Sequence, residues 1–148
     1  MAEQIRNSVV VKAPVDRVYG LWSNFENFPK FMKNIRSVTR SGPDMSHWVM
    51  DGPMGRKWQW DARTTRLEPN RQVAWASTRG DIVTRGQVLF DAQGEQQTEV
   101  TVTMQYDLPG GRLVHALAHM VSDPERRLAE DLQRFKSYAE SEPPPDSP

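Results

Sequence analysis

Between Ile35 and Asp107 apolar and polar residues alternate, whereas the segments on either side repeat every three to four residues. Ile5 to Lys12, with Val9, Val10 and Val11, predicts a strand ended by Ala13-Pro14. Pro14 then opens a helix, because a first helical turn has no use for the N–H that proline lacks. Val15, Val18, Trp22 and Phe25 recur at helical spacing and give that helix a buried stripe. The aromatic run from Asn24 to Met32, interrupted by Pro29, predicts a short second helix or turn, so the pair reads as a helix-loop-helix.

In the alternating stretch, turn signals at Ser41-Gly42-Pro43, Gly52-Pro53-Met54-Gly55, Glu68-Pro69-Asn70, Arg79-Gly80-Asp81 and Gln93-Gly94 separate six consecutive antiparallel strands. Trp48, Trp58 and Trp60 hold even positions on either side of the Gly52 turn. They share one face only if the loop has an odd number of residues, and a three-residue loop Pro53-Met54-Gly55, with Gly55 left-handed, satisfies this. Trp48 then stands opposite Trp60. Around Gln93-Gly94, a register that opposes Phe90 to Val100, Val88 to Val102 and Gly86 to Met104 keeps the apolar positions together.

From Gly110 to Ala139 the spacing is helical, interrupted at Ser122-Asp123-Pro124-Glu125 by a fresh capping signal, which predicts a kinked or two-part helix. Leu113, Leu117, Met120 and Val121 mark the apolar side of its first part, and Leu128, Leu132, Phe135 and Ala139 that of its second. Arg126 to Glu130 and Glu130 to Arg134 are spaced as ion pairs on its wet side. Strand, two short helices, six strands and a long helix make an α+β sandwich, its sheet apolar on one face only.

The 148 residues suit one domain over 1–140, followed by a tail, 141–148, too poor in apolar residues to pack. Nineteen basic residues balance nineteen acidic ones, so no bulk field recommends nucleic acid or an anionic membrane. Cys is absent, which removes disulfides and thiolate chemistry, and there is neither a leader-like N-terminus nor an apolar run long enough to span a bilayer. A cytoplasmic protein is expected, with no stable membrane insertion. The sequence does not decide between a monomer and a homodimer.

Several stretches together resemble the START-like, or SRPBCC, superfamily, in its polyketide cyclase/dehydrase and coenzyme-Q-binding-like branch. They are Val9 to Pro14 leading into Val18-Tyr19, Trp22 to Met32, Ser46 to Val49, Gly52 to Arg56, Trp60-Asp61-Ala62, and Asp123-Pro124-Glu125 followed by Asp131-Leu132 and Arg134-Phe135-Lys136. The resemblance implies the helix-grip (START/Bet-v-like) fold: a bent antiparallel sheet of about seven strands around a long C-terminal helix, enclosing an apolar cavity. It further implies binding of a lipid, quinone, polyketide or similar molecule, with or without catalysis.

If the helix covers the tryptophan face, the ligand-binding residues are Trp48, Met50, Trp58, Trp60, Trp75, Phe90, Met104 and Tyr106 from the strands, with Leu117 and Met120 from the helix. Tyr106 is the one acid–base-capable side chain among them, and Ser77 and Thr84 can add hydrogen bonds. His115 and His119 stand at metal-ligand spacing, but no third ligand accompanies them, and His47 alternates with Trp48 and so faces outward. No metal or cofactor is called for. Arg56, Lys57, Arg63, Arg66, Arg79 and Arg85 make the central strands basic, as a solvated outer face or as a seat for an acidic partner. The expected function is hydrophobic-ligand binding as carrier, sensor or chaperone. Its rivals are a polyketide cyclase or dehydratase using Tyr106, and a protein-interaction module like the ribosome-associating toxins that some members of this branch resemble.

Overall fold

The computed structural model describes residues 3–51, 55, 57–107 and 124–141. Strand β1 (Glu3–Val11) leads into helix α1 (Val15–Ser23) and a short 3-10 helix (Phe25–Lys30). Six strands follow: β2 (Ile35–Arg40), β3 (Met45–Asp51), β4 (Lys57–Glu68), β5 (Gln72–Gly80), β6 (Val83–Gly94) and β7 (Gln97–Asp107). Helix α2 (Pro124–Ser141) closes the described chain. The sheet is antiparallel throughout, in the order β1-β7-β6-β5-β4-β3-β2. This is the helix-grip arrangement.

The registers follow the alternation. Trp48 opposes Trp60, Phe90 opposes Val100, Val88 opposes Val102 and Gly86 opposes Met104. Gly55 takes the left-handed conformation expected of it, with φ 75°; its loop neighbours 52–54 lie outside the described residues. Register shifts at Asp61/Ala62 and Thr64/Arg66 insert Thr78 into β5 and Thr65 into β4, and such bulges bend and twist a strand, here in the middle of the sheet.

Both free edges are covered, which removes the hazard of open strand pairing. Along β1, the Lys136 ammonium of α2 donates to the Val10 carbonyl at 3.1 Å, and the Lys12 amide donates to Glu140 at 2.7 Å. Along β2, the Arg40 amide donates to Glu26 at 3.0 Å and the Ile35 amide to the Met32 carbonyl at 3.1 Å.

Four expectations need correction. Pro14 precedes α1 as its cap, with extended backbone (ψ 151°), and its carbonyl accepts from the Val18 amide at 3.1 Å. The two short helices are separated by Asn24 alone, whose side chain accepts from the Glu26 amide at 3.3 Å and starts the second directly. Helix α2 runs through Glu140 to Ser141, because Glu140 is held by Lys136 and Lys12. Among the described residues Arg134 pairs with Asp131 and not with Glu130, whose partner is Arg126 at 3.3 Å.

The core lies between the concave face and the helices. Leu128, Leu132, Phe135 and Ala139 are all buried, as their spacing predicts. Trp22 meets Phe28, Phe31 and Phe135 at ring-centroid distances of 5.2, 4.9 and 4.9 Å. The proposed first half of the long helix, with Leu113, Leu117, Met120, Val121 and the Ser122 cap, lies outside the described residues.

Gly86 makes room for Trp75: a Cβ built there would sit 2.3 Å from the indole. Gly86→Ala is therefore expected to lower stability by about 1–3 kcal/mol through overpacking. At Gly20, in α1, an added Cβ meets nothing within 4 Å, and Gly20→Ala should raise stability by about 0.5–1 kcal/mol. Urea unfolding of both variants reads the contrast.

Candidate functional site

Three indoles form a wall on the concave face. The Trp48 ring lies 5.8 Å from that of Trp60 at 19°, and 5.8 Å from that of Trp75 at 20°. Cross-strand pairing places the first two opposite one another, and Gly86 lets the third lie flat on the neighbouring strand. The Trp48 N–H donates to Ser46 Oγ at 2.8 Å. The buried N–H groups of Trp22 and Trp60 have no acceptor among the described residues.

At one end the wall is already occupied. Phe25 and Phe28 set their rings against Trp75 at 5.3 and 5.4 Å and against Trp48 at 5.8 and 5.2 Å, mostly edge to face. This packing leaves Trp48, Trp60 and Trp75 no more than 3% exposed. The same face carries Met50 and Trp58 farther along β3 and β4, and Met104 on β7 in the row of Trp75. Met50 and Met104 are buried, whereas Trp58 is only partly buried against the core. Phe90 lies near the helices, its ring 5.6 Å from Tyr19.

Tyr106 stands on β7 opposite Thr84, but its side chain lies outside the described residues, as do Leu117, Met120, His115 and His119. The structure thus brings seven of the ten expected ligand-binding residues onto one face: Trp48, Met50, Trp58, Trp60, Trp75, Phe90 and Met104. Phe25 and Phe28 were not among those expected. Their aromatic run gave the signal, but contact with β3 and β5 is a tertiary fact.

The buried polar side chains of the described residues are Ser46, Thr84, Thr98 and Asp131, and each has a structural task. Ser46 holds Trp48. Thr84 donates to the Gln105 carbonyl at 2.9 Å, while its amide donates to Ser77 Oγ at 3.0 Å, so these two hydroxyls join strands. Thr98 donates to the Ala13 carbonyl at 2.9 Å. Asp131 accepts from the Lys33 amide at 3.2 Å and pairs with Arg134, which also donates to the Phe31 carbonyl at 3.1 Å. Burial raises the Asp131 pKa, and the hydrogen bonds from Arg134 and Lys33 partly offset it. This cluster anchors α2 to the turn after the 3-10 helix.

His47 faces outward, with Nδ1 2.9 Å from Asp61 and Nε2 3.0 Å from Gln59. No group of metal-ligating side chains occurs among the described residues, and no helix there is long and apolar enough to cross a membrane.

Against this geometry, a model of the polyketide cyclase/dehydrase and lipid transport family matches residues 11–134, and the chain belongs to that family. It is similar to an uncharacterized 17.2 kDa protein of Streptomyces lincolnensis, 28% identical over 93% of this chain and 89% of the other. A crystal structure from Deinococcus radiodurans is 30% identical with a TM-score of 0.74, covering 93% of this chain and 98% of that one. The Zhui aromatase/cyclase of a Streptomyces species shares the fold at 16% identity and TM-score 0.71, over 95% and 94% of the two chains.

The hydrogen bonds to Asp61 and Gln59 favour protonated His47 and raise its pKa above 6.5, against a smaller opposing effect of burial. The folded protein then holds a proton that the unfolded chain has released. The resulting stabilisation is complete below pH 6.5 and is lost as pH rises through the folded value. Exposure of the pair keeps it below about 1 kcal/mol. An NMR titration should find the His47 pKa above 6.5 and find it lowered in Asp61→Asn, with the other two histidines unmoved.

Proposed function

We propose that the protein binds a small hydrophobic molecule between the concave face of the sheet and the C-terminal part of the chain, as a carrier, sensor or chaperone. The observation that carries this reading is the indole wall, flat over three strands and continued by Met50 and Trp58 past the point where Phe25 and Phe28 cover it. A planar apolar ring can stack on Trp58, and the neighbouring Met50 can adapt to its edge. Trp58, partly buried where Trp48, Trp60 and Trp75 are fully covered, is the residue a ligand would meet first.

Binding is favoured over turnover by the polar census: the buried hydroxyls and the carboxylate of the described residues are all committed to holding strands and helices together. The family also includes transport among its roles. The site calls for no cofactor.

Titration with menadione, an apolar naphthoquinone, should quench the tryptophan fluorescence saturably. Trp58→Ala should weaken binding about tenfold, with an unfolding curve recorded alongside to separate loss of a stacking partner from loss of the fold. Linear, non-saturating quenching by menadione, and equally by a medium-chain fatty acid, would count against the site.

A further inference from the structure

The outer, convex face of the sheet carries a second surface, independent of whatever the concave face holds. Following the register across five strands, Arg63, Ala76, Arg85, Gln105 and Gln4 form one row. Arg66, Ala74, Gln87, Thr103 and Arg6 form the next. Neither row contains an acidic residue. Ala74 and Ala76 are short, so the surface sinks between taller neighbours into a trough of about 490 Å³ whose lining includes Arg85, Gln87, Thr103 and Gln105.

Four arginines on a small area stand out in a chain whose charges sum to zero. Arg63 and Arg66 have exposed partners, Asp44 at 3.6 Å and Glu68 at 2.6 Å. Arg6 and Arg85 form no ion pair among the described residues. Exposed pairs contribute little and exchange readily for another carboxylate, so all four guanidinium groups are open to an incoming acidic chain. The amides beside them are joined in pairs, Gln105 to Gln4 at 3.1 Å and Gln72 to Gln87 at 3.0 Å. Each amide group has more donors and acceptors than one such bond uses, and these match peptide groups.

We infer that this trough is a docking surface for an acidic polypeptide segment laid across strands β4 to β1. Guanidinium groups bind carboxylates in a fork that specifies orientation, and a groove floored by alanines accepts a main chain. The same features disfavour other anions. A bilayer is flat and would want apolar anchors, which the trough lacks. Single-stranded nucleic acid would want exposed aromatic rings, and the one aromatic residue at the trough, Trp75, is 2% exposed and turned to the other face.

The test uses the full chain and a fluorescein-labelled oligo-glutamate peptide. Binding should fall with salt, and backbone amide NMR shifts should centre on Ala74, Ala76, Gly86, Gln87 and Thr103. The double variant Arg6→Glu, Arg85→Glu should weaken binding about tenfold, since it removes two attractions and adds two repulsions, whereas the charge-matched control Arg126→Glu, Lys33→Glu, on and beside α2, should change it less than twofold. Absence of peptide binding, shifts centred elsewhere, or equal loss in both variants would overturn the assignment. So would tighter binding to phosphatidylglycerol vesicles or to single-stranded RNA than to the peptide. Should the double variant fail to fold, the shift map of the unmodified protein together with Arg85→Gln still decides.

Discussion

Edge-to-face contact between the rings of Phe25 and Phe28 and the indoles of Trp48 and Trp75 joins the two halves of this molecule. An antiparallel sheet with one apolar face must cover it, and a curled sheet offers a concave surface that no single straight helix can fill. Helix α2 covers the β1 side, fastened through Lys136 and Glu140. The 3-10 helix covers the β2 side and sends aromatic rings inward. Trp22 sits between them, in contact with Phe28, Phe31 and Phe135, so that both covers share one aromatic cluster.

That arrangement divides the concave face by function. Where the phenylalanines sit, the indoles are structural, and their loss would cost burial of large aromatic surfaces. Beyond them β3 and β4 carry the Met50–Trp58 pair, two residues along from Trp48 and Trp60. The buried hydroxyls and the carboxylate of the described residues are held in inter-strand and helix-anchoring bonds. The outer face has the opposite character, with arginines and amides over alanines. A ligand and an acidic partner would thus meet opposite sides of the same strands.

Much of this was legible in the sequence. The pairing of Trp48 with Trp60 followed from parity, because an odd loop is the only kind that keeps even positions together. The register of β6 and β7 followed from keeping valines on one side. Local signals failed where a choice depended on distant chain. Arg134 has Glu130 within helical reach but turns to Asp131 and the Phe31 carbonyl, since the buried carboxylate needs a cation more than an exposed one does. The composition of 141–148 suggested an end to structure, but Glu140, held by Lys136 and Lys12, carries the helix on to Ser141. The bulges at Thr65 of β4 and Thr78 of β5 have no clear signature in residue type, so the curl of the sheet was not readable. Nor was the seat of Phe25 and Phe28 on the wall, which belongs to tertiary packing.

Native mass spectrometry of gently purified protein, followed by organic extraction of whatever it carries, tests the central claim most directly. The account predicts an apolar molecule bound at close to one per chain and released on denaturation, with its occupancy reduced in Trp58→Ala. A protein that is empty when isolated, and that stays empty after incubation with quinones, fatty acids and polyketide mimics, would contradict it.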